Sequence, residues 1–489
     1  MVLEITRFRD DQDGDIPVLK ESQRRRFHSE EIIDEITNAD RAWRQARFRA
    51  DALLKAKNLV SKAYGLLMRQ KASDTGSAEL PSEFDTDLTK LTADSLQTLS
   101  LPQLKSVRAT IDQSLIDTKT ETETQDKLRM SLLRSVGNIV HDSVPIDQDE
   151  DNNEIYHTFG ETPEKKYSHR DLIEMIDGVD IPAGTIAAGN RGYYLKGPCV
   201  LLEFAVLQLA MTMLVGKGYS PIIPPFFMNK NIMAEVAQLN QFDDELYKVT
   251  AKASEKEDDK EIDEKYLIAT SEQPLCALHR DSYIEPETLP IRYAGFSTCF
   301  RQEVGSHGRD TAGIFRVHQF DKIEQFVLTS PEDTESWEEM ERMITNAEEF
   351  YQALGISYRT VNMVSGELNL AAAKKYDLEG WFPGSKAFRE LVSCSNCLDY
   401  QSRRLKIRYG KQKLAKDVKK GPQPYVHMLN STMAAMTRVI CIILETHQTE
   451  EGIKIPDALK PWMPEKFHLI PFVKPCPAPV VIKKNKAKK

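Results

Sequence analysis

Between residues 32 and 67 the apolar positions recur at alternating steps of four and three: Ile32, Ile36, Ala39, Trp43, Ala46, Ala50, Leu53, Val60, Tyr64 and Leu67, with Lys57 as the one break. That spacing is a heptad seam and predicts a helix of about ten turns. His28, Ser29 and Glu31 supply its N-terminal cap region. A second helical pattern runs from about Pro102 to Gly137. There Leu104, Val107, Ile111, Leu115, Leu128, Leu132 and Val136 share a face around a polar middle, TKTETETQDK. The stretch from Asp74 to Glu83 reads as a turn, so the two helices are expected to form an antiparallel hairpin, a helical arm. Near residue 140 the pattern changes. Val144 to Glu154 (VPIDQDEDNNE) is acidic and turn-rich, and beyond it short strand patterns alternate with helices to about residue 472. These breaks divide the chain into an arm (1–138), a linker (139–160), an α+β domain (161–472) and a Lys-rich tail (473–489) expected to be disordered.

Charge changes the picture of the arm. The chain of 489 residues carries a formal net charge of −9, which argues against a uniformly basic coat but not against a local patch. From Arg41 to Lys71 there are nine basic residues and one acid, Asp51. A merely solvated face mixes signs, so this bias favours a polyanionic partner. Arg41, Arg44, Arg47, Lys55, Lys57 and Lys62 are the candidate phosphate contacts. Residues 251–265 hold eleven charges in fifteen positions and read as an exposed insertion, and the Lys-rich tail is compatible with nuclear import, RNA contact or solubilisation.

Composition then bounds the compartment. Hydrophobic residues make up 41% of the chain and charged residues 28%. No apolar run is expected to span a bilayer, and the N-terminus, MVLEITRFRDDQDGD, has neither a signal-peptide core nor a transit-peptide bias. No membrane partner is expected. Seven scattered cysteines point to reduced thiols in the cytoplasm. Cys394 and Cys397 form a lone CxxC with no second pair, and His279, His307, His318 and His427 show no ligand spacing, so no zinc site is expected.

The sharpest chemical signal is a pair of strands, Gly295–Val304 and Ile314–Val327, around a loop with Gly305, Gly308 and Gly313. Period-two geometry puts Phe315, Val317 and Ile323 on an apolar face and Arg316, His318, Phe320, Lys322 and Glu324 on the other, joined by Arg301 and Glu303 from the first strand. A face with two arginines, an aromatic ring and carboxylates suits a nucleotide with an anionic reaction centre. Arg438 closes a further block, VHMLNSTMAAMTR, within an otherwise apolar helix pattern, where an arginine needs an anionic partner.

Together with GYSPIIPPFFM (Gly218–Met228), ATSEQP (Ala269–Pro274) and FRELVSCSN (Phe388–Asn396), these blocks resemble the ordered motifs of class II aminoacyl-tRNA synthetases. The wording TSEQP, TCFRQEVGSHGRDTAGIFRVHQFDKIEQ and FRELVSCSNC is similar to that of the seryl-tRNA synthetases of eukaryotic type, over almost the whole chain including the arm. Asn430 to Arg438 departs from the glycine-rich third motif common in the class, in the manner of the seryl subtype. The resemblance implies an α+β fold with an active-site antiparallel sheet flanked by helices, in a homodimer, with a tRNA-binding helical-hairpin (coiled-coil) arm. It implies ATP and Mg²⁺ as cofactors, and L-serine, serine tRNA and also selenocysteine tRNA as substrates.

By that resemblance Arg301, Arg438 and Glu390 are the catalytic residues. Arg301 holds the α-phosphate and the serine carboxylate, Glu303 faces the adenine amine, Phe320 stacks on the ring, and Arg438 and Arg316 reach the γ-phosphate. Gln302, Val317, His318, Gln319, Leu391 and Val392 complete the ATP segments, and Glu390 and Ser393 hold Mg²⁺ through oxygen. Thr270, Ser271, Glu272, Glu324, Asn430 and Thr432, with Arg301, surround serine. The chemistry agrees: a carboxylate attacks the α-phosphorus and displaces pyrophosphate, so the barrier is positioning and charge neutralisation rather than a side-chain nucleophile. The alternative, an inactive synthetase-like protein that binds RNA or partners, is expected to have lost motif arginines or acids, and Arg301, Arg438, Glu390 and Glu324 are all present.

Overall fold

The computed structural model describes residues 2–12, 14–70, 75–237, 245–250, 264–304, 313–412 and 423–477. Lys71, the glycine loop from Gly305 to Gly308 with His307, most of the charged insertion and the tail from residue 478 lie outside the described residues. The chain forms two compact units, one built essentially from residues 3–24 and 28–136, the other from 25–27 and 137 onward.

In the first unit, helices α1 (Glu31–Arg69) and α2 (Leu101–Arg134) pair along the heptad seam. Leu53, Ala56 and Val60 pack against Leu104, Val107 and Ile111. Ser100 and Gln103 make a capping box that satisfies two of the four orphan N–H groups at the start of α2. The seam differs from the sequence pattern in three places. Ile33 rather than Ile32 is fully buried, and Ala56 fills the step where Lys57 breaks the pattern, which frees Lys57 to pair with Asp112 at 2.7 Å. Leu128 is exposed while its neighbour Arg129 is buried.

That last inversion has an electrostatic cause. Asp40 on α1 is only 1% exposed. It accepts from Arg9 Nε at 2.7 Å and Arg129 Nη1 at 2.9 Å, and Arg129 lies 3.9 Å over the Trp43 ring. Burial alone would raise this carboxyl, but the two arginines hold it below the ordinary carboxylate range. The link between the helices is also more than a turn. A short helix, Ala93–Leu96, capped by Thr92 and Ser95, sends Leu96 and Leu99 into the seam.

The second unit is built on an eight-stranded sheet. In chain order its strands are β1 (Glu154–Phe159), β2 (Ser220–Ile222), β3 (Ile291–Phe300), β4 (Gln319–Thr329), β5 (Tyr358–Asn362), β6 (Lys374–Phe382), β7 (Ala387–Asn396) and β8 (His427–Ala435). Their order across the sheet is β1-β5-β6-β7-β8-β4-β3-β2. Every pairing is antiparallel except β2 with β3. Helices α3 (Pro198–Gly216), α4 (Glu272–Leu278), α5 (Glu335–Ala353), α6 (Tyr400–Leu405) and α7 (Met436–Thr446) accompany the sheet. Helices α3, α5 and α7 share one large core with it, α7 through Val439, Ile440, Ile443 and Leu444.

Contrary to the sequence expectation, α3 is apolar enough and, at 19 residues, long enough to cross a membrane. Here Cys199, Leu202, Val206, Ala210 and Leu214 bury one side of it in the core, while Phe204 and Val215 remain exposed. Arg26, 1% exposed, belongs to this unit. It donates to the carbonyls of Asn138, Leu368, Asn369 and Ala372, and burial among them pushes its guanidinium down to about 10. A Cβ on Gly137 would stand 2.6 Å from Arg26 Nε, so only glycine fits there.

Candidate active site

The hairpin strands are displaced from their sequence pattern: the first keeps its ten residues but lies four positions earlier, and the second is shorter. β3 stops at Phe300 and β4 starts at Gln319, so Arg301, Glu303 and residues 313–318 leave the ladder and bend over the sheet. The bend is pinned where it begins, with Arg301 N donating to the His318 carbonyl and His318 Nδ1 standing 2.9 Å from the Arg301 carbonyl. The Arg301 guanidinium lies 5.5 Å from the Phe320 ring and donates to the Ala269 carbonyl at 3.3 Å. Glu303 takes φ +52°, a left-handed conformation that a non-glycine residue holds at a cost. Its carboxylate faces Arg316 at 3.5 Å and Arg191 at 3.8 Å.

Across the cleft, Arg438 stands in the first turn of α7. It donates to the Glu390 carbonyl at 2.9 Å, lies 3.4 Å from the Glu390 carboxylate, and stacks 4.9 Å over Phe315. Arg301, Glu303, Arg316, Phe320, Glu390, Thr432 and Arg438 all line one cleft of about 470 Å³, whose walls include Phe315, Val317, Lys322 and Leu391. Both guanidiniums at 301 and 438 therefore open on the same space. Arg316 Nε is buried there with no hydrogen-bond partner among the described residues. A cleft with this many fixed cations is an anion site.

Glu390 sits deep in that cleft yet keeps 48% of its side-chain surface open. Burial would raise its carboxyl, but Arg438, Lys375 and Arg301 outweigh burial and bring it down to about 2. Behind it, Asp377 of β6 faces Ser393 of β7 in register and pairs with Lys375 at 3.1 Å. Burial pushes the Asp377 carboxyl up to about 7. The donor set of an ionised Glu390 and the Ser393 hydroxyl is one of hard oxygens. It fits a magnesium ion that takes one protein carboxylate and completes its shell from phosphates and water.

Beside Lys322 and Thr432, which line the cleft, lies a second cluster, joined to it by Lys322 Nζ donating to the Thr270 hydroxyl at 2.8 Å. Glu324, 4% exposed, accepts from the hydroxyls of Thr270 and Ser271, from Lys322 Nζ, and from the Glu272 N–H at 3.0 Å. Burial would raise its carboxyl, but Lys322 overcomes this and keeps it low, hence ionised. Thr432 is its cross-strand partner on β8. Glu272, at the start of α4, accepts on Oε1 from Gln401 Nε2 at 2.6 Å and Asn430 Nδ2 at 3.0 Å. Burial and the Glu324 charge push the Glu272 carboxyl up to about 7.

Not every residue expected at the site lines the cleft: Thr270, Glu272, Glu324, Ser393 and Asn430 are not among its lining residues, and Thr270 and Glu272 line a separate cavity with Gln401. Val317, Leu391 and Val392 belong to the core, with Val317 and Leu391 still forming wall. Ser271 is fully buried behind Glu324. The Gln302 amide turns to the Leu246 carbonyl, and His318 and Gln319 line a separate cavity with Arg191 and Tyr247. Period-two spacing places Lys322 on the same face as Glu324 but gives it no role at the site, and Gln401 was missed. Gln401 had no local signal. His279 and His427 bond to Tyr293 and Ser336, and the cysteines are free thiols, all buried except Cys476.

On the arm, three of the six candidate phosphate contacts are already paired with acids: Arg41 with Asp10 at 3.6 Å, Arg44 with Asp11 at 2.7 Å, and Lys57 with Asp112. Arg47 is exposed and leans 5.3 Å over Trp43. Lys55 and Lys62 are exposed and make no ion pair among the described residues.

Comparison with known proteins bears on both units. Residues 247–447 match the family model "tRNA synthetase class II core domain (G, H, P, S and T)", and residues 2–100 match "Seryl-tRNA synthetase N-terminal domain". The chain is 56% identical over 480 residues to the cytoplasmic serine--tRNA ligase of Homo sapiens, covering 98% of this chain and 92% of that one. Among solved structures it resembles cytoplasmic serine-tRNA ligase from Naegleria fowleri in complex with AMP, with TM-score 0.82 and 42% identity over 96% of this chain and 99% of that one. It also resembles seryl-tRNA synthetase from Pyrococcus horikoshii complexed with ATP, with TM-score 0.77 and 33% identity over 94% of this chain and 98% of that one.

Proposed function

The chain belongs to the cytoplasmic serine--tRNA ligases, and from that premise we propose how its cleft divides the work. The protein is a class II synthetase that attaches serine to tRNA. The reading that follows rests chiefly on one observation, that Arg301 and Arg438 enter a single cleft from opposite sides.

ATP occupies the cleft with its adenine against Phe320 and its exocyclic amine toward Glu303, which Arg316 and Arg191 hold in a strained backbone conformation. Arg301 neutralises the α-phosphate and the serine carboxylate, and Arg438 with Arg316 takes the outer phosphates. Two anions are thereby held together, and serine's carboxylate oxygen attacks phosphorus while pyrophosphate leaves in line. Glu390 and Ser393 would hold magnesium through their oxygens, and the ion would supply further neutralisation of the phosphate charge. In the second step the terminal ribose hydroxyl of tRNA attacks the carbonyl carbon of the seryl-adenylate, an adenylate phosphate oxygen accepts the proton, and the acyl–phosphate bond breaks to release AMP.

Serine is selected by its hydroxyl. Glu324 takes three donors on Oε2 but only Lys322 on Oε1, so Oε1 keeps a lone pair to accept from a substrate hydroxyl. A substrate hydroxyl completes the set with Thr432, whereas alanine leaves buried polar groups unpaired, so discrimination by roughly 10⁴ is expected. Glu272 faces the α-ammonium. Asn430 helps hold Glu272, and Thr270 helps hold Glu324.

The arm takes the tRNA, whether a serine or a selenocysteine tRNA, through Arg47, Lys55 and Lys62, the least committed of its cations. The exposed apolar side of α3, with Phe204 62% exposed, supports a homodimer. The cytoplasmic relatives support a cytoplasmic enzyme. The test is serine-dependent pyrophosphate exchange. Arg438→Ala should abolish exchange and leave tRNA binding, and retention of exchange would refute the phosphate role.

A further inference from the structure

Gln401, on the short helix α6, is 5% exposed, and only one end of its amide is explained. Its Nε2 donates to Glu272 Oε1 at 2.6 Å. Its Oε1 is fully buried and meets no donor among the described residues. A buried amide oxygen without a partner is destabilising, and native structures rarely leave one. Gln401 lines a cavity with Thr270, Glu272, Asn369, Tyr400 and Arg404, and the Thr270 hydroxyl there accepts from Lys322, which lines the arginine cleft. The neighbouring carboxylate is arranged to match. Both amides that reach Glu272, from Gln401 and Asn430, end on Oε1, and Oε2 takes no hydrogen bond among the described residues. Two hydrogen-bonded side chains, Glu272 and Gln401, thus each keep one acceptor oxygen, Oε2 and Oε1, that meets no donor among the described residues.

We propose that Gln401 is a specificity-determining residue of the serine site, which fixes Glu272 through Nε2 and offers Oε1 as a second acceptor to the substrate α-ammonium. This rests on the reading that Glu272 faces that ammonium. The chemistry fits the group: an ammonium has three N–H donors and no acceptor, and a carboxylate oxygen with an amide oxygen beside it satisfies two of them. The last N–H has water or the adenylate.

The test uses the full-length enzyme and two non-hydrolysable adenylate mimics, L-seryl-sulfamoyl-adenosine and its des-amino analogue, as inhibitors of pyrophosphate exchange. The ratio of their inhibition constants measures what the amine contributes. In Gln401→Met that ratio should fall by about ten- to a hundredfold, the worth of one hydrogen bond to a charged group, with the KM for ATP unchanged. A structural defect would weaken both inhibitors and leave the ratio alone. An unchanged ratio in Gln401→Met overturns the proposal. Should that variant melt below the assay temperature, Gln401→Asn takes its place, since it keeps the amide but withdraws it by one methylene. The same fall in the ratio is expected there, and its absence is equally fatal. Glu272→Gln separates the two layers. If it leaves the ratio intact, the reading of Glu272 falls; if it collapses the ratio while Gln401→Met does not, only the role of Gln401 falls.

Discussion

Replacing Lys322 by methionine tests how the serine hydroxyl is read. Lys322 and Glu324 are 5% and 4% exposed and form an ion pair on one strand. Taking away one partner of a buried pair strands the other charge, at a cost of about 3–5 kcal/mol. Glu324 keeps the Thr270 and Ser271 hydroxyls and the Glu272 N–H, but these neutral donors must now offset burial alone. The carboxyl that Lys322 held low should therefore move above its ordinary value. Protonated, it becomes a donor competing with the serine hydroxyl. Loss of one charge-assisted hydrogen bond, about 1.5–3 kcal/mol, raises the serine KM by roughly 10- to 150-fold near neutral pH.

The sign of the pH dependence follows. In the wild type, Glu324 has a depressed folded-state pKa, so it adds stability that is present at neutral pH and lost only on acidification. In Lys322→Met the folded-state pKa is raised, so ionising Glu324 costs stability as pH increases. The melting-temperature gap between the two proteins should widen from pH 5 to pH 8, while the KM ratio narrows as alkali restores the carboxylate. The melting comparison is made in a Glu272→Gln background, because the Glu272 carboxyl feels both Glu324 and Lys322. Pyrophosphate exchange at saturating ATP and thermal melting across pH measure the two quantities. A serine KM within threefold of wild type, or a gap that does not depend on pH, would refute the reasoning.

Glu272→Gln should melt higher than wild type at pH 8 and no higher at pH 4, because a carboxyl held at about 7 favours the folded state only while protonated; a pH series of melting curves checks this. Charge reversal at Lys55 and Lys62 together should raise the KM for tRNA and flatten its salt dependence by about one unit per lost phosphate contact, with pyrophosphate exchange intact. Asp40→Asn removes the buried anion between Arg9 and Arg129 and should cost the first unit about 3–5 kcal/mol, read as an earlier loss of helical circular dichroism.

The paired arm helices were readable because a heptad pattern is local, but the plug in their seam was not. Asp40, Arg9 and Arg129 become neighbours only after folding, and a buried arginine reads in sequence as a surface one. The strand pair carrying the site was readable as composition, yet its ends were misplaced, because residues 301–304 continue a strand-like pattern after the ladder has stopped. The order of the eight strands leaves no trace in any single segment. At the site, residues that share a short motif were legible together. Gln401 was not, since its role depends on a contact 129 positions away in the chain. Glu272 was legible as a carboxylate, but its shifted pKa arises from the Glu324 charge and burial, which sequence does not display.

The four carbonyls that Arg26 gathers give the first residues of the chain a stake in amino-acid binding. Three belong to the 368–372 segment, and Asn369 and Ala371 of that segment form part of the cavity beside Glu272 and Gln401. An excised catalytic fragment beginning at Gly137 would lack this guanidinium, and those carbonyls would face the pocket's floor without a donor. Any minimal version of the enzyme made by trimming from the front must therefore graft back a cation at that spot, or accept a floor free to sag beneath its smallest substrate.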